Sequence, residues 1–91
     1  MKIKKPKIPT YELTAHAQRV ITERGITMEW VERTLSQPGK THPDKKDPVL
    51  THALKRIAEH EDRALRVVYN NQVKPLRIVT VYFDRTVKDE L

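Results

Sequence analysis

The residues best suited to chemistry in this chain are a histidine, two arginines and two hydroxyl-bearing side chains: His52, Arg56, Arg66, Thr80 and Tyr82. An imidazole changes charge near neutral pH and can take or give a proton. A guanidinium presents a planar fork of donors that fits the oxygens of an anion. Gathered on one surface, these side chains form an anion-binding and acid–base set. An open sheet face also carries solvated arginines routinely, and the sequence leaves both readings standing. His16 lies at the border of a helical apolar stripe, where a packed or capping role competes with a catalytic one. His42 and His60 sit in polar, turn-like segments and read as exposed. The chain has two glycines, no cysteine and no glycine-rich phosphate loop. It has no H-E-x-x-H and no G-x-S-x-G, and Asp44 and Asp47 do not follow calcium-loop spacing. No metal site and no cofactor are expected.

Whether that set shares a face depends on the elements that carry it. Leu76 to Phe83 alternates β-branched and aromatic residues and reads as a strand. Leu65 to Tyr69 reads as its neighbour, with turns at His60–Arg63 and Asn70–Gln72. Val49 to Ile57 suits either a strand or a helix, and a strand is favoured because a partner follows. Strand side chains alternate between faces. This puts Val79, Val81, Phe83, Leu65, Val67, Tyr69, Val49, Ala53 and Ile57 inward. Ile78, Thr80, Tyr82, Arg66, Val68, Leu50, His52, Leu54 and Arg56 then point to the open face. Leu50, Leu54 and Ile78 are out of place there, which implies a one-residue slip of register or a covering partner.

Two helices precede the strands. Thr14 is placed to cap the first, in which Ala17, Val20 and Ile21 recur at helical spacing, and Gly25 is placed to end it. Arg24 stands at that helix end and can reach past the core toward a sheet edge. Thr27 caps the second helix, from Met28 to about Gln37, with Met28, Val31 and Leu35 inward and Trp30 packing at the rim. Pro38, Pro43 and Pro48 punctuate the stretch from Gly39 to Pro48, which reads as a loop, the most mobile of the chain. Tyr11–Leu13 is a short edge strand or extended chain. The expected architecture is α+β: two N-terminal helices on a three-stranded, or four-stranded, antiparallel meander. Residues 1–10 form a basic arm, residues 11–85 the domain and residues 86–91 a polar tail that frays.

The 91 residues make one domain with a thin core. The net charge is +6, and four lysines fall within the first seven residues (Lys2, Lys4, Lys5 and Lys7). That balance favours a polyanionic partner, either nucleic acid or an acidic protein. No apolar run approaches the ~20 residues of a membrane span, and no signal-peptide pattern is seen. The chain is therefore expected to be mature and cytoplasmic, with no membrane partner.

Several separated blocks resemble a widespread bacterial family of small domains of unknown function. They are Tyr11-Glu12-Leu13-Thr14-Ala15-His16-Ala17, Glu23-Arg24-Gly25-Ile26-Thr27, Glu29-Trp30-Val31-Glu32, Leu65-Arg66-Val67-Val68 and Val79-Thr80-Val81-Tyr82-Phe83-Asp84-Arg85. One position departs: many members carry an arginine four residues after the histidine, where this chain has Val20, with Arg19 one residue earlier. The family in turn resembles, at the level of fold, the RelE and BrnT toxins. That resemblance implies metal-free RNA cleavage by attack of a 2′-hydroxyl on the adjacent phosphate. Such chemistry needs a base, an acid and cations around the phosphorane. His16 and His52 would serve as the acid–base groups, and Arg66 and Arg85 would hold the phosphorane. Arg24, Arg56, Arg63, Thr80 and Tyr82, with the lysine arm, would bind RNA, and the Gly39–Pro48 loop would close over it. The implied partners are RNA, with or without the ribosome, an antitoxin protein and a second copy of the chain. Competing readings are a nucleic-acid-binding module without catalysis, and a protein-interaction domain using Leu50, Leu54 and Ile78.

Overall fold

The computed structural model describes residues 10–90, with side chains described up to residue 87. The lysine-rich arm expected over residues 1–10 therefore lies outside the described residues, apart from Thr10. The chain folds as α+β, with two helices and a five-stranded mixed sheet. The elements are β1 (Tyr11–Leu13), α1 (Ala15–Arg24), α2 (Met28–Ser36), β2 (Lys40–Pro43), β3 (Leu50–Ile57), β4 (Arg63–Asn70), β5 (Leu76–Asp84) and a closing 3₁₀ helix (Arg85–Glu90). The strand order is β1-β5-β4-β3-β2. β2 to β5 form an antiparallel meander, and β1 pairs parallel to β5 at its outer edge.

The helices begin and end where local chemistry dictates. The Thr14 hydroxyl accepts from the Ala17 amide, and the Thr27 hydroxyl accepts from the Trp30 amide. Gly25 adopts φ 65°, ψ 31°, and its amide donates back to the carbonyls of Ile21 and Thr22. Ile26 follows, its amide donating a hydrogen bond to the Ile21 carbonyl and its side chain buried, so the chain turns directly into α2.

α1 packs on β5, and α2 on β3 and β4. Under them lies a core of Ala17, Ile21, Ile26, Val31, Ile57, Leu65, Val67, Leu76, Ile78 and Val81. Three expectations need correction. Five strands are present rather than three or four, because β1 joins the sheet and the proline-rich stretch forms β2. Pro43 ends that short edge strand, where its missing N–H interrupts no ladder. The segment after it is not a free loop. The Asp44 carboxylate accepts the amides of Lys46 and Asp47, the Asp44 amide donates to the Leu50 carbonyl, and the Leu50 amide donates to the Asp47 carbonyl, the last two at 2.9 Å each.

The second correction concerns the faces of β5. Val68 pairs with Thr80 and Tyr69 with Ile78, so Val79 is an extra residue in the ladder. This bulge breaks the strict alternation. Ile78 is fully buried in the core, while Val79, expected inward, is only half-buried. The third is that the supposed open face is largely closed by the chain itself. Leu54, Ala64, Arg66 and Val68 on it are buried, and the residues after β5 turn back against β4 as the 3₁₀ helix.

Candidate functional site

Arg66 stands near the middle of β4, cross-strand from Leu54 on one side and Tyr82 on the other. Its guanidinium is buried, with 8% of the side chain exposed. Nε and Nη2 donate to Asp84 Oδ2 at 3.0 and 2.8 Å. Nη1 donates to His52 Nδ1 at 2.8 Å and to His42 Nε2 at 2.9 Å. An arginine can only donate, so both ring nitrogens must accept, and the tautomers follow. His52 carries its proton on Nε2 and gives it to Asp44 Oδ1 at 2.7 Å. His42 carries its proton on Nδ1, directed at the Pro43 carbonyl at 2.9 Å. The two rings stack at 4.8 Å, being cross-strand partners on β2 and β3.

Both carboxylates of this network are held below the ordinary range. For Asp84 the main cause is the Thr86 hydroxyl, aided by the Thr86 amide and by Arg66 and opposed by burial. For Asp44 it is the hydrogen bond with His52, followed by the Asp47 amide. The network is nearly saturated. Arg66 has one N–H uncommitted, and every ring nitrogen of His42 and His52 has a partner. It fastens four strands and the β2–β3 turn together, and it offers little to an incoming phosphate.

A second cluster lies at the Asp84 end of β5. Arg24, Ile26, His60, Arg63, Tyr82, Phe83 and Arg85 line a pocket of about 580 Å³. Arg24 arrives there because Gly25 ends α1 beside it. His60 and Arg63 arrive on the tight turn between β3 and β4. That turn is closed by the amide of Arg63 on the carbonyl of His60, with Glu61 and Asp62 at φ 53° and 59°. Tyr82 comes from the end of β5 and Arg85 from the first position of the 3₁₀ helix. Arg63 is paired with the exposed Glu61 at 3.0 Å. Arg24 and Arg85 make no hydrogen bond or ion pair among the described residues. Three guanidiniums, two of them uncommitted, thus face one pocket with a phenol, a phenyl ring and an imidazole. A larger cavity, about 690 Å³, is mostly apolar and lies at the other end of β5, around Leu35, Tyr69 and Leu76.

The residues singled out from sequence fall into four places. His52 and Arg66 belong to the buried network. Arg24, Arg63, Tyr82 and Arg85 belong to the basic pocket. His16 and Thr80 meet each other on the exposed rim, His16 Nε2 lying 3.2 Å from the threonine hydroxyl, with Arg19 3.3 Å from the other ring nitrogen. Arg56 is tied to Asp62 at 3.3 Å. Sequence reasoning missed His42, Asp44, Asp84 and His60. A signal for the first existed: His42 and His52 stand equally far on either side of Asp47 in the Asp-rich turn, as cross-strand partners on the two arms of a hairpin do.

A family model described as a domain of unknown function (DUF4258) matches residues 13–83. The chain belongs to this family. The match runs from the end of β1 through Phe83, so it takes in the whole buried network except Asp84, and the pocket except Arg85. Searches of curated proteins and of solved structures return no match to this DUF4258 domain. None of its described helices is long and apolar enough to cross a membrane. Among its described residues, no three histidine, aspartate or glutamate side chains are grouped to hold a metal ion.

Proposed function

We propose that this DUF4258 domain is a metal-independent endoribonuclease of the toxin–antitoxin kind, binding single-stranded RNA at the pocket of Arg24, Arg63 and Arg85. The observation that carries the proposal is the convergence of these guanidiniums, two without partners among the described residues, on one pocket beside Tyr82, Phe83 and His60. Uncompensated cations around a concave surface attract a phosphodiester, and an arginine fork fits two of its oxygens. Aromatic side chains at the same place suit an unstacked base, which favours single strands over duplex. The net charge of +6 supplies a long-range attraction of the same sign.

Cleavage follows the chemistry open to RNA without a metal. The 2′-oxygen loses its proton, attacks the adjacent phosphorus and displaces the 5′-oxygen, leaving a 2′,3′-cyclic phosphate and a 5′-hydroxyl. The arginines stabilise the charge that grows on the phosphorane oxygens. Arg66, with His52 and His42, braces the strands that present Tyr82. An antitoxin would silence the enzyme by covering the basic pocket. The test is incubation of purified protein with end-labelled single-stranded RNA, with and without chelator, free or ribosome-bound. Cyclic-phosphate products that persist in chelator support the proposal, and intact RNA under all these conditions refutes it.

A further inference from the structure

We infer that His60 is the catalytic group that takes the 2′-hydroxyl proton. This rests on the RNA-cleavage reading above and assigns its acid–base residue, a role the sequence suggested for His16 and His52 instead. The four histidines differ in how their ring nitrogens are engaged. His52 is held by Arg66 and Asp44, and His42 by Arg66 and the Pro43 carbonyl. His16 lies between Arg19 and Thr80. Among the described residues, the ring nitrogens of His60 make no hydrogen bond, and His60 lines the arginine pocket.

The His60 ring is nonetheless fixed. It stacks on Phe83 at 4.4 Å and 22°, and Trp30 packs against it at 5.3 Å, itself edge-on to Phe83 at 6.0 Å. Its orientation thus comes from aromatic packing, which leaves the nitrogens available to a ligand. A base held in place without its lone pair being occupied is what proton abstraction requires. Arg24, Arg63 and Arg85 share the pocket with it. The flanking Glu59 and Glu61 are exposed, and Glu59 is committed to Arg33 at 2.7 Å.

Neutral His60 accepts the 2′-hydroxyl proton as the O2′–P bond forms. The P–O5′ bond breaks, and the leaving oxygen is protonated by water to give the 5′-hydroxyl. The resulting imidazolium returns its proton to solvent. Phe83 and Trp30 are positioning residues, acting only through the ring they hold.

Single-turnover cleavage of a single-stranded RNA by wild type, His60→Gln and His60→Ala tests this, with RNA affinity and melting temperature measured on the same samples. The expected result is a rate loss of roughly a hundredfold or more in both variants at near wild-type affinity. Wild type should also show an acid limb in its pH–rate profile that His60→Gln lacks, and added imidazole should restore part of the activity of His60→Ala. Wild-type rates in both variants, or an unchanged acid limb in His60→Gln, would overturn the assignment while leaving the ribonuclease reading intact. RNA left uncut by wild type would instead remove that reading itself.

Discussion

Arg66 donates from a single nitrogen, Nη1, to two imidazoles at once, His52 at 2.8 Å and His42 at 2.9 Å. The geometry explains why a charged side chain can sit in the middle of a sheet. Asp84 balances its charge, and four of its donor hydrogens are satisfied. Arg66→Met would leave Asp84 and two ring nitrogens short of partners in a desolvated place. Breaking such a pair by removing one member costs about 3–5 kcal/mol. Arg66→Lys should fare little better, because an ammonium cannot reproduce the fork. Denaturant unfolding of both variants checks this, and wild-type midpoints would contradict the structural role assigned to Arg66.

Acid should unfasten the same network. The carboxyls of Asp84 and Asp44 are both held below their ordinary values, by Thr86 and His52 first of all. Groups with depressed folded values contribute stability that is present above the unfolded value, near ~4. It is lost as pH falls through the folded value. The unfolding midpoint should therefore decline below about pH 4, and Asp84→Asn should flatten part of that decline. Equal acid sensitivity in wild type and variant would remove Asp84 from the account.

The bulge at Val79 gives neighbouring residues unequal roles. Ile78 is completely buried beneath α1, whereas Val79 is half-exposed. Ile78→Ala should cost about 2–5 kcal/mol through lost burial and the cavity left behind. Val79→Ala should cost less than half of that. Paired melting curves decide it, and a larger loss at Val79 would mean the ladder runs without the bulge.

Gly25 tests the turn that delivers Arg24 to the pocket. At φ 65° a Cβ at this position would meet nothing within 4 Å, so only the backbone resists a side chain. Gly25→Ala should cost about 1–2 kcal/mol, and Gly25→Asn less, since asparagine tolerates this conformation. A neutral Gly25→Ala substitution would show that α1 ends differently.

These contrasts show what the sequence could and could not reveal. Helix limits were legible because caps are local: Thr14, Gly25 and Thr27 act on residues within one turn. The strands β4 and β5 were legible for the same reason, in their alternation and turn residues, and β3 only through the strand that follows it. The bulge was not, because it is set by the pairing of β5 with β4, although Ile78 on the wrong face was its trace. β2 was hidden by its prolines, and with it the contact of His42 with His52. The basic pocket was half legible. Arg24, Arg63, Tyr82 and Arg85 drew attention by type, but nothing local shows that a helix end, a turn and a strand end meet. His60 looked exposed because its partners, Trp30 and Phe83, lie far along the chain.

The most direct test of the central claim, that RNA is held by the arginine pocket, is the salt dependence of single-stranded RNA binding by wild type and an Arg24→Ala, Arg85→Ala double variant. Each phosphate contact contributes about −0.7 to the slope of log affinity against log salt. The double variant should bind more weakly at every salt concentration, with a slope shallower by about 1.4, and its melting temperature should stay near wild type, because neither arginine has a partner to lose among the described residues. An unchanged affinity and slope in the folded double variant would contradict the account.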